Sequence, residues 1–156
     1  MALFALFLLE GDGPMHANTC RKERFQKFES GLEFLRSALA RGPAALNPLE
    51  KEGAIRRFEY CLDLAWKAAQ EYLEDSGLRI APVTPREVIR QAAAAGVLTH
   101  SQVWIDMLDH RNLLGHNYDG VVLAEVAEAL AARYLPAMEQ LRAFLAGTNL
   151  EADPGE

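Results

Sequence analysis

Three runs of apolar residues spaced three and four apart decide most of what this chain can become. The first runs Phe25, Phe28, Leu32, Leu35, Leu39. The second runs Ile55, Phe58, Leu62, Ala65, Ala69, Tyr72, and Cys61, Trp66 and Leu73 widen its face. The third carries Leu123, Val126, Leu130, Tyr134, Ala137, Leu141 and Phe144. A 3-4 repeat gathers apolar side chains on one side of an α-helix, and such a stripe is stable only when buried against another element. No stretch alternates with a period of two over a useful length, although "LRIAPV" (78–83) reads as extended. The stripes must therefore cover one another, which predicts a helical bundle.

Local signals divide the bundle. Asn18 or Thr19 suits the cap of the first helix, and "RGPAALNP" (41–48) ends it; the second should stop near Ser76 and Gly77. "TPRE" (84–87) is a capping box, with Thr84 as cap, Pro85 in the first helical position and Glu87 in the third. It opens a short helix that ends at Gly96. "THSQ" (99–102) repeats the pattern with Thr99 and Gln102 and starts a helix through Trp104, Met107 and Leu108. Pro136 should kink the last helix, because it lacks a backbone donor and crowds the preceding turn. The expected fold is all-α: an antiparallel helical bundle of four main helices plus a short extra helix. It occupies residues 17–147, between an N-terminal extension (1–16) and a C-terminal tail (148–156).

The extension begins "MALFALFLLEGDGP", whose apolar run of about nine residues is too short to cross a bilayer and lacks a basic start. It reads as an extra segment or as a start codon placed too early, with Met15 the natural beginning. The 156 residues suffice for one domain with a real core. Net charge is −6, so contact with nucleic acid would have to come from a local patch. Cys20 and Cys61 suggest reduced thiols in a cytoplasmic protein. The four histidines (16, 100, 110, 116) have no metal-ligand spacing, so neither metal nor cofactor is expected.

"DHRNLLGHNYDG" (109–120) stands apart, crowding Arg111, His116 and Tyr118 around Gly115 and Asn117. On an unbroken helix Arg111 and His116 would differ by roughly 140° and face different targets. Gly115 and Asn117 tolerate left-handed backbone, so the chain can turn there and redirect His116 toward Arg111 or toward another subunit. The bland reading is a pair of cations at a helix C-terminus, where positive charge suits the dipole. Against it, R-x-x-x-x-H-x-Y is expected by chance only roughly 0.008 times in a chain of this composition.

That motif, as R-N-L-L-G-H-N-Y, resembles the signature of HepT-like proteins in the HEPN superfamily. "RFQKFESGLEFL", "AIRRFEYCLDLAWKAAQEYLEDSG", "TPREVIRQAAAAGVL", "WIDMLDHRNLLGHNYD" and "YLPAMEQL" extend the likeness from about Arg24 to Leu145. The same pattern carries the label nucleotidyltransferase substrate-binding protein. Thr84 stands where the family usually has serine, an equivalent cap. The resemblance implies a bundle that forms a homodimer, with two copies of the motif in one cleft. It also implies a metal-independent endoribonuclease toxin acting on RNA. The implied antitoxin is a cognate small nucleotidyltransferase that attaches AMP to the motif tyrosine, here Tyr118. The side chains suit that chemistry: a histidine can take and return the 2′-OH proton, and an arginine fork can clamp the phosphate. Asn112 is placed to orient either residue.

The remaining candidates are weaker. Glu59 is a possible cleft residue but more often a structural ion-pair partner. Asp106, Asp109 and His110 precede the motif, and Asp109 is a candidate support for Arg111. "RKERFQK" (21–27) is the densest basic run. A helix-turn-helix reading over residues 86–108 is disfavoured because its recognition helix carries Asp106 and Asp109 and little positive charge, which suits phosphates badly. The rival to the nuclease is a non-catalytic subunit that presents a nucleotide or substrate to its nucleotidyltransferase partner.

Overall fold

The computed structural model describes residues 14–116 and 119–151. Among them every regular element is helical. Helix α1 spans Pro14–Ala38 and, after a 3-10 turn at Pro43–Ala45, α2 spans Pro48–Asp75. The shorter α3 (Pro85–Ala94) and α4 (Ser101–Leu114) follow. The last rod, α5, runs as Gly120–Ala129, a π-helical turn Leu130–Tyr134, and Leu135–Glu151. The expected bundle of four main helices and one short helix is the observed fold. α2 is its spine, packed against α1, α3 and both halves of α5, while α4 lies on α3 and the π turn.

Several boundaries follow from local chemistry. Asn47 caps α2 by accepting from the Glu50 amide at 2.8 Å, and Pro48 fills the first position, where no donor is needed. Thr84 caps α3 as expected, accepting from the Glu87 amide at 3.2 Å. α2 and α3 both end on a left-handed glycine. Gly77 (φ 92°) and Gly96 (φ 77°) let the next amides, Leu78 and Val97, reach back five residues to Leu73 and Ala92.

Two expected caps need correction. α1 begins at Pro14, so Asn18 and Thr19 lie inside it and do not cap it. Thr99 does not cap α4: its hydroxyl bonds Gln140 on α5, and His100 makes the entry in a left-handed conformation (φ 58°). Ahead of Pro136, where a kink is expected, the helix carries a π turn. There the Leu135 amide bonds the Leu130 carbonyl five residues back. A π turn of this kind is a common way to absorb local misfit in a long helix.

The core confirms the three stripes. Phe28, Leu32, Leu35, Ile55, Phe58, Leu62, Leu130 and Tyr134 are fully buried. Phe58 stacks on Tyr134, ring centroids 5.6 Å apart. Cys61 is buried and Cys20 exposed. Burial pushes the Cys61 thiol up to about 12, which suppresses the reactive thiolate. A disulfide reagent should therefore titrate one thiol in the folded protein and two after unfolding. Rapid reaction of both in the native state would contradict this packing.

Candidate functional site

The site is built on the last turn of α4. Its buried face runs Trp104, Met107, Leu108 and Leu114, and the same 3-4 spacing puts Arg111 on that stripe, half-buried. A cation in an apolar register normally has a carboxylate partner. Among the described residues Arg111 has none, and it makes no side-chain hydrogen bond or aromatic contact with them. Its neighbours are engaged elsewhere: Arg86 with Asp109 at 2.7 Å and Arg133 with Asp106 at 3.1 Å.

Those two ion pairs fasten α4 to α3 and to the π turn. A third tie is His110. Its Nδ1 lies 2.5 Å from the Tyr134 hydroxyl, and its Nε2 faces the Glu125 carboxylate at 3.8 Å. With Nε2 toward a carboxylate, the tautomer protonated there is favoured, leaving Nδ1 to accept from the phenol. Tyr134 is fully buried, and burial lifts its hydroxyl to about 12, Asp106, Glu125 and Asp109 adding to the rise and Arg133 opposing it. The sign follows. An unfolded phenol ionises near 10 and the folded one near 12, so stability tied to Tyr134 is complete below pH 10 and lost as pH rises through 12. Tyr134→Phe should flatten that alkaline decline while costing about 1 kcal/mol at neutral pH for the lost hydrogen bond. An unchanged alkaline profile in the variant would remove Tyr134 from the account. Sequence patterning places Tyr134 in the core but gives no sign of its partner, because His110 meets it only in the folded bundle.

Beyond Leu114 the chain stays helical for one more step. The Gly115 amide bonds the Arg111 carbonyl at 3.3 Å, and the His116 amide bonds that of Leu113 at 3.1 Å. Gly115 has φ −64° and ψ −16°, so the left-handed turn expected there is absent. Asn117 and Tyr118 lie outside the described residues. Asp119 then caps α5, its side chain accepting from the Val121 amide at 3.1 Å. His116 is exposed, and no bond joins it to Arg111 within the chain. Asn112 is exposed beside Arg111. Glu59 stands on α2 in an ion pair with Arg56 at 3.5 Å, the structural role that is common for such residues. Leu113 and Val121, both exposed apolar residues, flank the break.

Among the described residues no cluster of His, Cys, Asp or Glu is arranged to hold a metal ion. None of their helices is long and apolar enough to cross a membrane. The molecule is thus a small helical bundle that presents, at one helix end, an exposed histidine and a half-buried arginine with no ion-pair partner among the described residues. Residues 23–147 match the family described as nucleotidyltransferase substrate binding protein like, and the chain belongs to that family. A crystal structure of a protein from Thermus thermophilus is similar, with 30% identity and a TM-score of 0.61, covering 78% of this chain and 98% of that one. No curated protein matches the chain.

Proposed function

We propose that this protein is a HepT-like HEPN endoribonuclease that works as a homodimer and is restrained by a cognate nucleotidyltransferase. The observation that carries the reading is Arg111, a half-buried guanidinium on an apolar stripe with no carboxylate among the described residues to neutralise it. Such a group is arranged to receive an anion, and the bidentate fork suits a phosphodiester. His116, exposed five residues on, supplies a base for the ribose 2′-OH and an acid for the leaving 5′-oxygen. Attack by the 2′-oxygen on phosphorus breaks the P–O5′ bond and leaves a cyclic phosphate, and that reaction calls for no metal. No hydrogen bond joins Arg111 to His116 within the chain, and a dimer in which one motif completes the other would bring both onto one phosphate. The exposed Leu113 and Val121 offer apolar surface for such a seam. Asp109 and Asp106 act on the site indirectly, by fixing α4, and Asn112, next to Arg111 in the chain, offers an amide to orient a substrate.

Tyr118 follows as the control point. AMP attached to its phenol would place a negative phosphodiester two residues from His116, where it competes with RNA for Arg111. Expression of the chain alone should arrest growth, and co-expression with a neighbouring small nucleotidyltransferase should relieve the arrest and add AMP to the Tyr118 peptide. Tyr118→Phe should stay unmodified and toxic in both settings. Modification elsewhere, or equal neutralisation of Tyr118→Phe, would remove this tyrosine from the scheme.

A second reading is a non-catalytic subunit that binds a nucleotide or substrate for the nucleotidyltransferase. It is favoured by the absence of a hydrogen bond between Arg111 and His116 and by the acidic net charge. A harmless chain that leaves RNA intact would select it.

A further inference from the structure

A second surface, on the seam between α1 and α2, is built differently from the rest of this acidic molecule. Adjoining hollows of about 290 and 330 Å³ share Gly31, Phe34 and Tyr60. A third continues along the seam past Arg57 to Arg41 and Glu50. From Glu23 to Ala38 the trough follows α1 for roughly 22 Å at the helical rise, and it continues to Arg41 in the turn beyond. α4 and Arg111 belong to another part of the bundle, packed on α3 and the π turn.

Its chemistry has three parts. Phe34 (61% exposed) and Tyr60 (56% exposed) are among the few large apolar side chains left in solvent. Each ring is backed on one side: the Arg57 guanidinium sits 5.6 Å from the Phe34 centroid, and a Cβ on Gly31 would lie 3.5 Å from the Tyr60 ring. Arg57 is fixed by donating to the Phe34 carbonyl at 2.8 Å and has no carboxylate partner among the described residues. Finally, four cations (Lys27, Arg41, Arg56, Arg57) line the trough against two carboxylates, Glu23 and Glu50, in a chain whose net charge is −6. Arg41 pairs with Glu50 and Arg56 with Glu59, and Lys27 and Arg57 have no carboxylate partner among the described residues.

We propose that this trough binds a single strand of RNA, the bases stacking on Phe34 and Tyr60 and the phosphates lying along Lys27, Arg56 and Arg57. Fixed aromatic rings beside a basic track are the arrangement that holds unpaired strands without sequence preference. The trough is several nucleotides long, which fits a strand better than a free nucleotide. A second copy of the chain fits it poorly, because a two-fold contact would set these cations against their own copies. The identity of the strand rests on the RNA-cutting reading; the trough would hold the part of the substrate remote from the cut.

The test uses the full-length chain carrying His116→Ala, so that RNA survives, with a fluorescent 12-nucleotide single-stranded RNA in EDTA. Phe34→Ala and Tyr60→Ala should each weaken binding by about 5- to 100-fold. Arg57→Gln should also flatten the salt dependence, and duplex RNA of the same sequence should bind weakly. In the His116 form, a dinucleotide too short to reach the trough should be cut equally with or without Phe34→Ala and Tyr60→Ala. Unchanged 12-mer affinity in both variants would overturn the trough while leaving the cutting reading intact. Loss of RNA cutting by the wild type, with trough-dependent binding retained, would overturn the nuclease alone. If Phe34→Ala instead turns a dimer into a monomer by light scattering, the surface is a subunit interface and the proposal fails.

Discussion

His116→Ala is expected to lower RNA cleavage by about 10²- to 10⁴-fold while leaving the helical content and melting temperature of the protein unchanged. The size of the loss is that of removing a general acid–base group from a reaction in which one proton leaves the 2′-oxygen and another must reach the 5′-oxygen. The fold is spared because His116 is exposed and contributes no side chain to the core. Arg111→Ala should be similarly inactive for a different reason. It removes the charge that steadies the phosphorane, a loss worth about 10²- to 10³-fold for one strong donor. No ion pair among the described residues is broken by it, so stability should hold or rise. Arg111→Lys should recover little, since a point charge does not reproduce the two-pronged contact. Substantial cutting by His116→Ala would shift the account to the binding-subunit reading. If Arg111→Ala unfolds the protein, the arginine is structural and the site lies elsewhere.

Trp104→Ala should have the largest effect on stability. Trp104 is the bulkiest of the fully buried side chains and stands one turn into α4. Its removal should cost about 3–5 kcal/mol, the lost transfer of the indole plus the cavity left behind. For a domain of this size that is a fall in Tm of roughly 6 to 20 °C. Because the apolar anchor of α4 is Trp104, Met107, Leu108 and Leu114, the variant should also lose the fixed placement of Arg111. Cleavage should then fall even at temperatures where the bundle remains folded. Thermal and chemical denaturation followed by far-ultraviolet circular dichroism reads the first effect, and cleavage at about 10 °C, well below the transition, reads the second. A loss of under about 1 kcal/mol would mean that α4 is not held by this stripe.

What could be read from the sequence follows a physical division. The helices were legible because burial imposes the 3-4 spacing on Phe28, Leu32, Leu35 and on Ile55, Phe58, Leu62. The start of α3 was legible because the Thr84 cap and Pro85 act within one turn of chain. The start of α4 was not, since the Thr99 hydroxyl is drawn to Gln140, 41 residues away. Nor was the π turn before Pro136, whose form depends on how Leu130 and Tyr134 settle in the core. The site divides in the same way. Arg111 stands out in the sequence through the R-x-x-x-x-H-x-Y motif, while its place on the stripe of Trp104, Met107, Leu108 and Leu114 comes from the folded helix. Asp109 was expected beside Arg111 but is held by Arg86 of α3, a contact that spacing along α4 does not reveal. The trough between α1 and α2 was equally hidden, because Phe34 and Tyr60 meet only across the helix seam.

The central claim is that Arg111 and His116 cut RNA by 2′-oxygen attack without a metal. Its most direct test is the ends of the fragments that the purified wild-type protein makes from RNA in excess EDTA. Cleavage that persists and leaves 2′,3′-cyclic phosphate with 5′-hydroxyl ends is the predicted result. Cleavage that stops in EDTA, or that yields 5′-phosphate ends, would contradict it.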